Sequence, residues 1–387
     1  YKEKIELDLF ENTRDLFDLD VDMVFWDTTS TYFEGRGPVE LGRYGYSKDH
    51  RPDRIQVMIG VVMTRVGIPI AHEVFPGNTS DAATFRQIIA KVRQRFNLTR
   101  VIFVGDRGMV SKDILDDLDK DRIEYIVGMR MRKIKDVGAV LKTGGRYRTV
   151  KENLKVKEVW HDADRYIVCY NPVQAEYDKH ARDEMARKLA EQLKSGGIKS
   201  LVGNRGYRKY LLLNKEAVVG IDHEAMQQEA RFDGKYVLRT NTQMSTEEAA
   251  LAYKDLWRVE RAFRKMKSSL DLRPVFHWKD SRVRGHIMVC FLALVLESAL
   301  QRKLVEKNIK VEYIYLLRDL QQLKAVELSI GDEKFLCRTE LAGKAYEAFK
   351  ALGIRPSLQI AEIKNRENGI TNQNGHMSNS HHTPSLF

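Results

Sequence analysis

Residues 245–270 read STEEAALAYKDLWRVERAFRKMKSSL. Ser245, with Glu248 three residues on, forms a capping box, which satisfies backbone N–H groups that a helix start leaves without partners. Leu256, Val259, Phe263, Met266 and Leu270 then recur at steps of three and four, the apolar stripe an amphipathic helix buries. The pattern predicts one helix across the whole stretch. Beside the stripe stand Tyr253, Glu260 and Lys267, each seven residues from the next, close to two helical turns. An acid flanked by a phenol and an ammonium at the margin of a buried face suits a phosphate-handling metal site. The same residues also suit a basic surface helix with incidental ion pairs. The weight of Glu260 therefore depends on other acids in the chain.

The 387 residues are 43% hydrophobic and 31% charged. This composition supports a substantial core and excludes a globally disordered chain. The length fits one large domain with an insertion, or two to three domains. A net charge of +11 favours a polyanionic partner. No apolar run reaches the ~18 residues of a membrane span. The longest, IMVCFLALVL at 287–296, reads as a core helix, so no membrane partner is expected. Cys169, Cys290 and Cys337 form neither a zinc pattern nor a disulfide framework, which points to a reducing, cytoplasmic interior. The chain begins at Tyr1 without a signal-like segment, and residues 1–20 are expected to be a short helix, a linker or the remnant of an upstream region.

VDMVFWDTTSTYF, residues 21–33, is rich in β-branched and aromatic residues and predicts a strand. Val21, Met23, Phe25 and Asp27 share one face at period two. Asp27 at the end of that run is either a turn residue or a functional carboxylate. RVIFVGDRGMVS, residues 100–111, holds a short, continuously apolar strand of the kind found in sheets covered on both faces. Asp106 follows it directly. Carboxyl edges of buried strands are common functional placements; capping of the next helix is the other reading.

Between them, GRYGYSKDHRPDR (42–54) is a basic loop or hairpin. Its Arg43, Lys48, Arg51 and Arg54 suit phosphate contact or plain solvation. IQVMIGVVMT and GIPIAHEVFPGN follow as antiparallel strands. Residues 134–232 change to short strand-like pieces with one charged helix, a β-rich insertion. There Trp160, Tyr207 and Tyr210, near Arg205 and Arg208, suit strand packing or stacking on a base. Further on, Arg282, Arg284 and His286 open a strongly apolar helix, where His286 suits a helix-start hydrogen bond or a DNA contact. Residues 311–327 and 339–352 read as helices around a strand pair. The polar end of the chain, with His376, His381 and His382, is expected to be a disordered tail.

Asp27, Asp106 and Glu260 are thus three acids that a sheet has the means to gather, although periodicity does not select them uniquely. Carboxylates suit Mg²⁺ or Mn²⁺, hard cations that prefer oxygen ligands. Two such ions about 4 Å apart serve the attacking and leaving oxygens of a phosphoryl transfer.

The chain resembles a DDE transposase of the IS4 type, and within that the IS1634-like group. The matching segments are WDTTSTYFEG (26–35), GYSKDHRPD (45–53), FPGNTSD (75–81), VIFVGDRGMVS (101–111), DGKYVLRTN (233–241), YKDLWRVERAFRKMK (253–267) and RGHIMVCFLALVL (284–296). Tyr253, Glu260 and Lys267 match the family's Tyr–Arg–Glu–Lys signature, while Leu256 stands where the family has arginine. Arg258, two residues on, points elsewhere on a helix.

This resemblance implies an α/β fold: an RNase H-like mixed-sheet catalytic core, interrupted by a β-rich insertion. The core would occupy 21–133 and 233–305, the insertion 134–232, a C-terminal helical region 306–360 and the tail 361–387. It implies a catalytic and metal-binding triad of Asp27, Asp106 and Glu260 holding two Mg²⁺ or Mn²⁺ ions. DNA phosphates would meet Tyr253, Lys267, Arg258, Arg264, Arg107, Arg284 and His286. The implied activity is cut-and-paste transposition: cleavage at transposon ends, then strand transfer into target DNA by a synapsed homodimer. The implied setting is a bacterial or archaeal cytoplasm, at the nucleoid when DNA-bound. A DNA nuclease without strand transfer and a non-catalytic DNA-binding descendant are the alternatives.

Overall fold

The strand expected at 21–33 lies in the interior of a nine-stranded sheet. The computed structural model describes residues 1–17, 23–97, 101–109, 111–194, 205–214 and 217–362. Val21, and the tail from 363 on with its three histidines, lie outside the described residues. The strands of the first half are β1 (Met23–Tyr32), β2 (Gln56–Thr64), β3 (Pro69–Pro76), β4 (Ile102–Gly105) and β5 (Glu124–Gly128). They lie in the order β3-β2-β1-β4-β5, with β2 antiparallel to β1 and β3, and β1, β4 and β5 parallel. This is the mixed sheet of an RNase H-like core.

The period-two alternation of β1 sends its side chains to two apolar layers. Met23 and Phe25 join Ile59, Val104 and Ile126 on one face; Val24 and Trp26 join Val62, Phe103 and Val127 on the other. Each such buried side chain contributes about 1.5–3 kcal/mol. Helices cover both faces. Counting along the chain, these are α1 (Lys2–Phe17), α2 (Asp81–Phe96), α3 (Lys112–Lys120), α4 (Lys135–Lys142), α5 (Pro172–Lys194), α6 (Arg205–Arg208), α7 (His223–Ala230), α8 (Thr246–Lys254), α9 (Trp257–Ser268) and α10 (Asp280–Glu306). Phe85, Ile88, Ile114 and Leu118 of α2 and α3 pack on the Trp26 face, and Ala249, Val259, Phe263 and Ile287 of α8 to α10 pack on the Phe25 face. The helix α10 is long and apolar enough to cross a membrane by length and composition. Its Val283, Ile287, Cys290 and Leu294 belong to the Phe25 core layer.

The N-terminal helix α1 is fixed by charge as well as by Phe10 on Phe96. Glu6 is fully buried, accepts the His72 backbone N–H at 2.9 Å and pairs with Arg95. Glu73 beside it takes Lys2 at 3.0 Å and Arg95 at 3.1 Å.

The single helix expected over 245–270 is two. Ser245 and Glu248 form the capping box of α8, as the sequence indicates. Around residues 255–256 the bonds tighten: Leu256 N–H reaches Tyr253 O at 3.1 Å, Arg258 N–H reaches Asp255 O at 3.0 Å, and Val259 N–H reaches Leu256 O at 3.0 Å. Such i→i+3 bonds turn the chain about 120° per residue instead of about 100°. Tyr253 and Glu260 therefore leave the common line that an unbroken helix gives them.

The insertion strands β6 (Arg148–Lys151), β7 (Leu154–His161) and β8 (Asp164–Tyr170) extend the same sheet. They join it through β11 (Lys235–Thr240), which runs antiparallel to both β5 and β8. A small two-stranded sheet, β9 (Leu211–Asn214) and β10 (Ala217–Ile221), comes between β8 and β11 in the chain. Tyr210 packs in a cluster with Leu189, Leu211 and Met226, while Trp160 is 63% exposed.

The chain divides into Tyr1–Ala299 and Leu300–Phe387. Within the second unit, α11 (Tyr313–Gln321) and α12 (Ala345–Leu352) bring Leu316, Ala348 and Ala351 together with Leu304. The expected strand pair is present as β12 (Ala325–Ile330) and β13 (Glu333–Arg338), and β14 (Ile360–Glu362) adds a third strand.

Candidate active site

Parallel pairing of β1 with β4 sets Trp26 opposite Gly105, so the next residue on each chain is an aspartate. β4 stops at Gly105, whereas β1 runs on to Tyr32. Asp27 is therefore a mid-strand residue rather than the strand end that the sequence suggests, and it stands where its neighbour strand has run out. Its Oδ1 accepts the Thr28 backbone N–H at 2.7 Å. One edge of the carboxyl stays accessible, but protein surrounds most of it. Burial above all pushes its pKa up to about 7; the charges of Asp106 and Asp81 add to the rise, and Lys48 and the Thr28 N–H oppose it.

Asp106 is held from the opposite side. Tyr253 Oη, on α8, donates to Asp106 Oδ1 at 2.8 Å. The phenol reaches it by passing over Gly128, where a Cβ would fall well inside contact distance of the hydroxyl. Tyr236 stacks on Tyr253 with centroids 5.8 Å apart. Burial, and then the Asp106 charge, push the phenol far above its ordinary range.

Asp81, the first residue of α2, is a third acid here. Ser80 caps the helix, which leaves the Asp81 side chain for the site: Thr28 Oγ1 donates to Asp81 Oδ1 at 2.5 Å. Lys48 Nζ donates to Thr28 O and Thr28 Oγ1 at 2.8 Å each and to Asp81 Oδ1 at 3.3 Å. Its own backbone N–H is fixed by Ser30 Oγ at 2.8 Å. A cleft of about 1000 Å³ opens over these groups, lined by Lys48, Asp81, Asp106, Arg107, Arg130 and Lys133 among others. Arg130 braces its floor by donating to the carbonyls of Arg107 and Gly108 at 3.0 and 3.1 Å.

The three predicted acids are not gathered equally. Asp27 and Asp106 lie together, whereas Glu260 is exposed on α9, one residue past buried Val259; of the three, Asp106 lines the cleft. Among the described residues, no group of three or more His, Cys, Asp or Glu side chains is arranged to hold a metal ion. Of the predicted phosphate contacts, Arg107 lines the cleft. Lys267 Nζ bonds Asp49 Oδ1 at 2.7 Å. Arg258 pairs with Asp255 at 3.5 Å and lies over the Trp257 ring; Arg264 is exposed. Arg284 donates to Val74 O at 3.3 Å, and His286 meets the His277 ring edge-on at 5.6 Å. Sequence reasoning missed Asp81, Asp49 and Gly128. Asp81 reads as a helix start, and nothing local marks the other two.

Two aspartates thus stand side by side where β4 ends in an RNase H-like sheet, next to a cleft lined by Lys48, Arg107, Arg130 and Lys133. The chain belongs to the Transposase DDE domain family, whose pattern matches residues 18–296. Among solved structures it is similar to the piggyBac transposase synaptic complex with hairpin DNA, at 9% identity and a TM-score of 0.42, over 79% of this chain and 55% of that one. It is also similar to the Mos1 transposase paired-end complex with left transposon end, at 19% identity and a TM-score of 0.20, over 32% of this chain and 40% of that one. The Mos1 mariner paired-end complex with Mn gives 17% identity and a TM-score of 0.19 over 32% and 40%. The chain thus spans about half of these proteins or less. No curated protein matches it.

Proposed function

We propose that this protein is a cut-and-paste DNA transposase, which cleaves at transposon ends and joins them to target DNA. The observation that carries the proposal is the Asp27–Asp106 pair, with Tyr253 seated on its second member. The pair fits a hard divalent cation by its chemistry: both donors are carboxylate oxygens, and their repulsion and burial raise Asp27 to about 7, a cost a cation relieves. When bound, Mg²⁺ or Mn²⁺ supplies charge neutralisation at the phosphoryl oxygens. Asp27 and Asp106 hold the cation, and Glu260 is assigned as the third ligand on motif spacing alone. Tyr253 orients Asp106. Arg107, Arg130 and Lys133 draw the DNA backbone into the cleft through their charge.

Two ions, a synapsed homodimer on duplex DNA, and membership of the IS1634-like group complete the proposal. The last rests on the matching segments from WDTTSTYFEG (26–35) to RGHIMVCFLALVL (284–296). A strand-transfer assay with precut transposon ends tests the function. Joined product that disappears in Asp27→Ala and Asp106→Ala is expected; cleavage without joining would make the protein a nuclease instead.

A further inference from the structure

We infer that Lys267 and Arg273 form a phosphodiester-binding fork beside the aspartate pair, and that Asp49 occupies this fork when DNA is absent. The inference rests on the DNA-acting reading above, and adds to it a binding residue, Arg273, and a built-in competitor.

The geometry is unusual for a structural ion pair. Lys267 Nζ and Arg273 Nη1 both lie 2.7 Å from the same oxygen, Asp49 Oδ1. The other oxygen, Oδ2, is buried and has no hydrogen-bond partner among the described residues. The Asp49 side chain is only 3% exposed. A carboxylate serving purely as an anchor between two cations is expected to share them over both oxygens, because a bare buried acceptor is costly. Two cations converging on one oxygen point instead to a site shaped for one anionic oxygen of a larger group. A phosphodiester supplies such an oxygen and carries the same single charge, so it can replace Asp49 without leaving either cation unpaired. Lys267 needs some anion there, since burial disfavours its charge and Asp49 offsets that.

The turn that carries Asp49 is strained at one residue. Ser47 Oγ accepts the N–H groups of Asp49 and Arg51 at 3.3 and 3.0 Å, and between them His50 sits at φ +56, a left-handed conformation unfavourable for a residue with a Cβ. Moving Asp49 out of the fork frees His50 to leave it. Position matters too. Lys48, next to Asp49, acts electrostatically on both Lys267 and Asp27, so the fork adjoins the acids.

The test is the salt dependence of duplex-oligonucleotide binding by the full chain, read by fluorescence anisotropy. Asp53→Asn is the control, since it removes the same charge from an exposed position on the same loop. Asp49→Asn should tighten binding several-fold beyond Asp53→Asn while leaving the log K against log[salt] slope unchanged, and Lys267→Met alone should flatten that slope by about one unit, at ~0.9 per phosphate contact. Adding Lys267→Met should erase most of the gain. Equal behaviour of the two Asn variants, with binding intact, overturns the inference and leaves the proposed function standing. No DNA binding by any variant at low salt overturns both.

Amide exchange in the unmutated chain gives a reading that does not depend on variants folding. Exchange at Asp49 and Arg51 should accelerate when the duplex is added; protection or no change overturns the inference. Inorganic phosphate alone should leave that exchange unchanged. If it accelerates exchange equally, the site is one for free anions and not for the DNA backbone.

Discussion

Tyr253 and Asp106 are 147 residues apart in the chain and share a 2.8 Å hydrogen bond. The phenol is thus committed to a carboxylate, so under the proposed function it acts on phosphate only through Asp106. A hydrogen bond to a charged group is worth about 1.5–3 kcal/mol. Tyr253→Phe should therefore cost up to about that much stability and, with Asp106 no longer oriented, lower cleavage by roughly 10- to 100-fold. Gly128→Ala crowds the same hydroxyl and should cost about 1–3 kcal/mol of stability. Kinetics of the two single variants and the double test the coupling: the Gly128→Ala defect in cleavage should shrink in the Tyr253→Phe background, and additive effects would mean that Gly128 serves something else.

The pH dependence follows from Asp27, whose pKa rises to about 7 on folding, against an ordinary 3.8. A raised carboxyl favours the folded state only while protonated. Its contribution is complete below about pH 4 and fades as pH climbs through about 7. Unfolding midpoints compared with Asp27→Asn should show unmutated protein losing stability relative to the variant between those limits. Millimolar Mg²⁺ should flatten the difference at pH 8. Cleavage should rise through about pH 7, with an inflection that moves lower as Mg²⁺ increases.

Glu260 separates motif from geometry. It is exposed on α9, so Glu260→Ala should change stability by less than about 0.5 kcal/mol. The proposed role as third ligand nevertheless requires cleavage to fall to background, as in Asp27→Ala. Retained cleavage would remove Glu260 from the site and leave Asp81 as the acid to examine.

The docking of α1 depends on Glu6, buried against His72 and Arg95. Removing one partner of a buried ion pair costs about 3–5 kcal/mol, because the other is left desolvated and unpaired. Glu6→Ala should lower chemical-denaturation stability by that order, and Arg95→Met in the same chain should recover part of the loss.

Much of the core was legible because its signals are local. The alternation of β1 placed Asp27 on a strand and the apolar run 101–104 placed Asp106 just after one, and RNase H-like topology was expected from the quoted segments. The helix break at 255–256 was not legible: Asp255 and Leu256 suit a helix, and only the shift to i→i+3 bonds, fixed by packing on the sheet, separates Tyr253 from Glu260. Nor did the sequence show that Tyr253 ends on Asp106 or Lys267 on Asp49. Those contacts span 147 and 218 residues, where spacing along one helix says nothing about what lies opposite.

The seam at β11 has a mechanical consequence. Leu238 pairs with Ile167 of the insertion on one side and with Gly128 on the other, and Gly128 is the gap through which Tyr253 reaches Asp106. Two strands, β11 and β5, separate the insertion from β4, the strand that leads to Asp106, and hydrogen bonds run from β11 in both directions. Force applied to the insertion strands loads that ladder in shear, as a beam is loaded, instead of turning about a hinge. β6 to β8 therefore form a cantilever rooted two strands from β4, so that a load on them reaches the proposed aspartate pair through the ladder.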